Sequence, residues 1–132
     1  MAETLIHQQE APPWIQEIFK EIDTLQFGTG FSPLTTQTVM EFGTATVKGV
    51  QAIKQFLIKI NMLLEIEHRI HDFWDGGEIK LLRGDAVLRK KGSSDGPITA
   101  PPIMIFYMDT GESDQLSRWF IVNGPIKTDS VV

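Results

Sequence analysis

The spacing of apolar positions divides the chain into a helical part and a strand part. In "APPWIQEIFKEIDTLQFG", Trp14, Ile15, Ile18, Phe19, Ile22 and Leu25 recur every three or four residues, prolines stand at the entrance, and Gly28 follows the end. That is the repeat of one helical face and predicts a helix. The glycine-punctuated loop "FGTGFSP" comes next and lacks the further glycines and the lysine of a phosphate cradle. "TTQTVMEFG" (35–43) predicts a strand, with "ATVKG" as a short partner across Gly43. Gly49 then opens a second helix, in which Ile53, Phe56, Leu57, Ile60 and Leu64 form one apolar stripe.

From Glu65 onward the period shortens to two. Strands are predicted over 65–74, 78–90, 102–109 and 116–123, joined by "DGG", "KGSSDGP" and "TGESDQ". Pro101 and Pro102 restrict their neighbourhood to a strand start or an edge. The order of helix, short hairpin, helix and antiparallel meander defines an α+β fold, with helices on one face of a curved sheet. At 132 residues, with no repeat and no linker, the chain reads as a single domain over 1–132. The polar or irregular stretches 1–10 and 125–132 are expected to be loosely held.

Composition narrows the chemistry. With no cysteine, disulfides, thiolate metal sites and a cysteine nucleophile are all excluded. The net charge of -5, with only "RKK" at 89–91 as a basic run, argues against a nucleic-acid partner. No apolar run approaches the ~20 residues needed to span a bilayer, and the first residues lack a basic and an apolar signal region. The chain reads as a cytoplasmic protein with no membrane partner.

Groups able to move protons concentrate in "EHRIHDFWDGG", Glu67 to Gly77. A two-residue hairpin loop, Asp75-Gly76 or Gly76-Gly77, would place even positions of the first strand on the same face as odd positions of the second. One face then carries Ile66, His68, Ile70, Asp72 and Trp74 beside Ile79, Leu81, Arg83, Asp85 and Val87. It is the more apolar face and is expected to point inward. His68 would lie opposite Arg83 in one register and opposite Asp85 in the other. His71 falls on the opposite face from His68, so a metal shared by the two is not expected.

This layout resembles the nuclear-transport-factor-2-like fold of the SnoaL-like proteins, in particular small fungal members, over roughly residues 12–124. The residues carrying the likeness are "FGTATVKGVQAIKQFL", "HRIHDFWDGG", "RGDAVLRK" and the closing strand "RWFIVNGPI". The resemblance implies a cone-shaped α+β barrel with a deep pocket between sheet and helices, in a homodimer joined across the outer face of the sheet. It also implies isomerase, dehydratase or cyclase chemistry of the acid–base kind, with no cofactor. The tyrosine and aspartate of ketosteroid isomerase and the paired histidines of scytalone dehydratase are not matched. The histidine and aspartate of the SnoaL-like cyclases are matched in type by His68 with Asp72 or Asp85.

The residues and the resemblance together give two readings. In the first, His68 carries a proton, Asp72 or Asp85 orients it, and Arg83 binds or polarises a hydrophobic, carbonyl-bearing metabolite. Met40, Phe56, Ile70, Trp74, Phe106 and Trp119 would form the wall of its pocket. In the second, the polar network is structural and the protein is a ligand-binding or dimerisation module. The strand "IMIFYMD" is apolar on both faces, and a second copy of the chain is the simplest cover for its outer one.

Overall fold

The computed structural model describes residues 5–99, 103–111 and 114–124. Its elements in chain order are β1 (Ile6–Gln8), α1 (Pro13–Thr24), a short 3-10 turn (Thr29–Phe31), β2 (Leu34–Phe42), β3 (Ala45–Lys48) and α2 (Val50–Asn61). There follow β4 (Leu64–Asp75), β5 (Ile79–Lys90), β6 (Ile98–Thr99), β7 (Ile103–Asp109) and β8 (Leu116–Gly124). The strands form one sheet in the order β1-β4-β5-β7-β8-β2-β3, with β6 on the side of β5. All neighbours are antiparallel except β2 and β8, which run parallel. The expected helices, hairpin and meander are therefore present, in an α+β arrangement. The expectations for Pro101, Pro102 and 125–132 fall outside the described residues.

Both helices lie on one face of the sheet and close a core around Ile15, Ile18, Ile53, Met40, Phe106 and Trp119, all 1% exposed or less. On β7 the alternation is clear: Met104, Phe106 and Met108 are buried, while Ile103 and Ile105 are exposed on the outer face. The leader was expected to be loose, yet Ile6–Gln8 pair with Phe73–Asp75 of β4 and extend the sheet by one strand.

The β4–β5 ribbon departs from the expected register. The hairpin turns further along than either expected loop: Asp75 pairs with Lys80, and the Gly76 amide donates to the Ile79 carbonyl at 2.8 Å across Gly77 and Glu78. Asp72 pairs with Arg83, Trp74 with Leu81, and Ile70 with Gly84, which leaves His71 as an extra residue between two paired neighbours. This β-bulge reverses which alternate positions face inward. Above it Ile66, His68 and Ile70 face the helices; below it Phe73 does, and Phe73 is 1% exposed. His68 consequently stands opposite Ala86, not Arg83 or Asp85. Strict alternation fails here for a steric reason. The backbones approach so closely that a Cβ on Gly84 would overlap the carbonyl oxygen of Arg69, and only glycine permits that approach.

Two buried polar side chains fix the parts that frame the interior. Glu21, 6% exposed, accepts from the Gly28 amide at 2.6 Å and the Gly30 amide at 2.8 Å. These bonds hold the loop that follows α1 against the helix, after Leu25 has ended it in a left-handed conformation (φ 55°). Thr38, fully buried, donates to the Leu116 carbonyl at 2.5 Å and accepts from the Thr35 amide at 2.8 Å. It ties β2 to β8 where their register shifts.

Two substitutions test this account. Gly84→Ala forces the ribbon apart at the bulge and should cost about 1–3 kcal/mol, the usual range for overpacking. Thr38→Val leaves the buried Leu116 carbonyl and the half-buried Thr35 amide without this partner and should cost about 1–3 kcal/mol. Urea denaturation measures both, and a loss below about 0.5 kcal/mol, typical of surface changes, would contradict the assigned contacts.

Candidate functional site

The reversal at His71 leaves one histidine on the inner face, beside a cavity of about 280 Å³ between helices and sheet. Phe19, Ile22 and Leu57 wall it from the helices, and Ile66, Phe106 and Trp119 from the sheet. Its polar contributors are His68, Asn61 and Trp119, and among the described residues no Asp, Glu, Lys or Arg lines it. A larger open depression of about 730 Å³ lies by Trp14, Glu78 and Lys80, but it holds no histidine and is shared with solvent. The smaller cavity is where apolar enclosure and a proton-transfer group coincide.

His68 is oriented by a residue from α1. Its Nδ1 and Asp23 Oδ1 are 2.6 Å apart, and its own backbone amide donates to Asp23 Oδ2 at 3.1 Å. An ionised carboxylate only accepts hydrogen bonds, so Nδ1 carries the hydrogen, and in the neutral imidazole Nε2 is left with its lone pair. The imidazole packs at 5.4 Å from the ring of Phe19 and 6.5 Å from that of Phe106, both part of the cavity wall. Its side chain is 8% exposed and that of Asp23 is 17%. On the far side of this pair runs an open groove with Lys20 and Glu67 along it, which also touches Phe19 and His68. The dyad thus stands between an apolar cavity and an open, more polar groove, and a proton taken from one can leave by the other.

Asp23 was not foreseen. It lies four residues after Phe19 and one after Ile22, at the margin of the α1 apolar stripe. Helical spacing could have brought it into reach of the strand beneath, had carboxylates flanking the stripe been weighed with those of the strand.

The remaining expected site residues lie elsewhere. Asp72 turns to the outer face, where it meets His7 Nε2 at 3.0 Å and the guanidinium of Arg83. Asp85 is also outside, gripped by Arg69 through bonds of 2.7 and 2.8 Å and by His71 at 3.1 Å. The inner polar cluster of His68, Asp72, Arg83 and Asp85 is therefore corrected. The bulge leaves His68 inside and the other three outside. Among the wall candidates, Phe106 and Trp119 line the cavity, whereas Ile70 lines the groove. Met40 is buried in the core, Phe56 packs edge-on against Phe42 at 5.8 Å, and Trp74 leans on the ring of His7 at 5.3 Å, outside the cavity.

No protein-family model and no curated protein matches the chain. Solved structures do match. A candidate polyketide cyclase from Sinorhizobium meliloti aligns over 85% of this chain and 95% of its own, with a TM-score of 0.66 and 17% identity. An LEH-like epoxide hydrolase from M. tuberculosis aligns over 84% and 80%, with a TM-score of 0.67 and 13% identity. A protein of ketosteroid isomerase-like fold from Catenulispora acidiphila, in complex with trimethylamine, aligns over 87% and 88%, with a TM-score of 0.69 and 11% identity. The chain has the nuclear-transport-factor-2-like fold of these structures. That fold carries several chemistries, so the activity must be argued from the site.

The outer network has a pH signature. His7, then Arg83, hold the Asp72 carboxyl below the usual carboxylate range, and Arg69, then His71, do the same for Asp85. A depressed carboxylate stabilises the fold fully above its unfolded value, 3.8, and the contribution is lost as pH falls below that through the folded value. The melting temperature should therefore hold between about pH 7 and 5 and fall below about pH 4, as linkage requires. Asp72→Asn with Asp85→Asn should flatten that acid limb in differential scanning calorimetry. An unchanged limb would mean that these pairs do not form in solution.

Proposed function

We propose that the protein is a cofactor-independent acid–base enzyme for a small hydrophobic carbonyl compound, with His68 as proton carrier and Asp23 as the group that orients it. The observation that supports this reading most directly is the 2.6 Å contact between His68 and Asp23 at the wall of the apolar cavity. The names of the structural neighbours, a candidate polyketide cyclase and an epoxide hydrolase-like protein among them, are compatible with a small-molecule enzyme. The chemistry follows from the tautomer. Nε2 removes a proton from the carbon beside a carbonyl; the electron pair of that C–H bond becomes the enolate double bond, and the carbonyl oxygen takes the charge. Asp23 stabilises the imidazolium so formed, which returns the proton to the same or a neighbouring carbon. Isomerisation, dehydration and ring closure all share that first step.

The bland alternative is a binding or dimerisation module in which His68 and Asp23 merely join helix to strand. Deuterium exchange separates the two without knowledge of the natural substrate. Acetophenone in D2O should lose its methyl proton signal faster with the protein than without it, followed by NMR. His68→Gln and Asp23→Asn should slow the exchange by roughly 100-fold or more, the range for general-base loss. Equal rates in folded variants would favour the module.

The reading includes a homodimer and a cytoplasmic setting. Ile103, Ile105 and Val122 are 48, 36 and 61% exposed on the outer face of β7 and β8, the patch a second copy would cover. Sedimentation velocity should show a dimer that Val122→Glu converts to monomer. A monomeric wild-type chain would remove the dimer from the proposal.

A further inference from the structure

We infer that the indole N–H of Trp119 is the hydrogen-bond donor for the carbonyl oxygen of a neutral ligand, the part expected of Arg83 before the fold was known. The inference rests on the cavity being a ligand site and deepens that reading by specifying its polar contact.

Trp119 sits mid-strand on β8, paired with Met108 on one side and Met40 on the other. Its side chain is fully buried, and Nε1 has no hydrogen-bond partner among the described residues. A buried indole N–H normally has an acceptor, and Trp119 is one of the residues around the cavity, so its bare donor marks where a ligand's acceptor belongs. The surrounding geometry limits what that ligand can be. Phe19 stands edge-on to Trp119, centroids 6.1 Å apart, and its ring also meets the imidazole of His68. Donor and base therefore border one aromatic ring, and a single small molecule lying along it can reach both.

The class of ligand follows from charge. Among the described residues no Lys or Arg lines the cavity to receive a carboxylate or phosphate, and no Asp or Glu to receive an amine. An anion brought there would lose its hydration for one neutral N–H and the Asn61 amide, which is a poor exchange. A neutral ketone or aldehyde on an aromatic or alicyclic body loses little and satisfies Nε1. As His68 takes the proton, negative charge grows on that same oxygen, so the Trp119 bond strengthens in the transition state. The hydrogen stays on Nε1 throughout.

The test uses acetophenone, its hydrocarbon isostere α-methylstyrene, and benzoate, each titrated by NMR into the wild-type protein and Trp119→Phe. Phenylalanine keeps an aromatic wall and removes the donor. Comparing the two neutral compounds cancels any general weakening from the smaller ring. The acetophenone-to-methylstyrene affinity ratio should drop roughly tenfold in Trp119→Phe, the scale of one buried hydrogen bond, and benzoate should bind neither protein. In 15N-labelled wild type, the Trp119 indole proton, assigned with Trp14→Phe and Trp74→Phe, should move downfield with acetophenone and not with α-methylstyrene. This readout stands even if Trp119→Phe does not fold. An unchanged ratio, an unmoved indole proton, or tight benzoate binding overturns the inference. Failure of both neutral compounds to bind overturns it together with the pocket itself. Binding with intact Trp119 dependence, but exchange indifferent to His68→Gln, would sink only the acid–base reading.

Discussion

The close approach of the β4 and β5 backbones at Ile70 and Gly84 is the contact on which the interior depends. A pleated strand has only two faces, so one inserted residue exchanges them for everything beyond it. His71 is that residue, and it divides β4 into two parts with different tasks. The part before it turns Ile66 and His68 toward the helices; the part after it turns Phe73 inward and sends Asp72 and Trp74 out. Without the bulge, Phe73 would be stripped from the core and Asp72 would enter it with no partner there. The bulge therefore serves packing and placement at once. Glycine at 84 is the residue that lets the partner strand tolerate it.

Helix α1 completes what the bulge begins. Its apolar stripe supplies Phe19 and Ile22 to the cavity wall, and two carboxylates on its flanks have separate uses. Glu21 satisfies the amides of Gly28 and Gly30 and so fixes the loop that follows the helix. Asp23 accepts both from the ring and from the backbone amide of His68, which sets the height and rotation of the helix over β4 as well as the tautomer of the imidazole. A shift of α1 along the strand would break both contacts together. Fold stability and the orientation of the His68 ring are thereby coupled through one side chain.

Much of the architecture was legible because it rests on local periodicity. The stripes Ile15–Ile22 and Ile53–Leu57, the glycines at 28 and 49, and the strand around "IMIFYMD" all fell where their spacing put them. The site was less legible because it depends on long-range register. A hairpin turn displaced to Gly77-Glu78 and a bulge at His71 are set by tertiary packing, and "HRIHDFW" reads equally well with or without them. Gly84 was the available sign, since glycine inside a strand marks close backbone approach. Asp23 is separated from His68 by 45 positions, and no pattern along the chain joins them. The leader was misread for a similar cause. "IHQ" is too short to reveal itself as a strand, and it is held by pairing to Phe73–Asp75 and by the bond from His7 to Asp72.

The exclusion of Asp72, Arg83 and Asp85 from the interior also explains the kind of polarity found inside. A cavity of about 280 Å³ is at the small end of ligand sites, roughly 300–1,000 Å³. An arginine in such a space would need a counterion and a set of acceptors, and burying it without them costs several kcal/mol. An unpaired neutral N–H costs only about 1–3 kcal/mol, which the fold can carry. The charged pairs stay on the outer face, where water shares the cost. The inner face keeps one histidine, whose carboxylate partner reaches it from the groove side, and neutral donors on an apolar wall. Such an interior can tolerate charge that appears on a ligand for the duration of a proton transfer, while giving a permanently charged molecule little reason to enter.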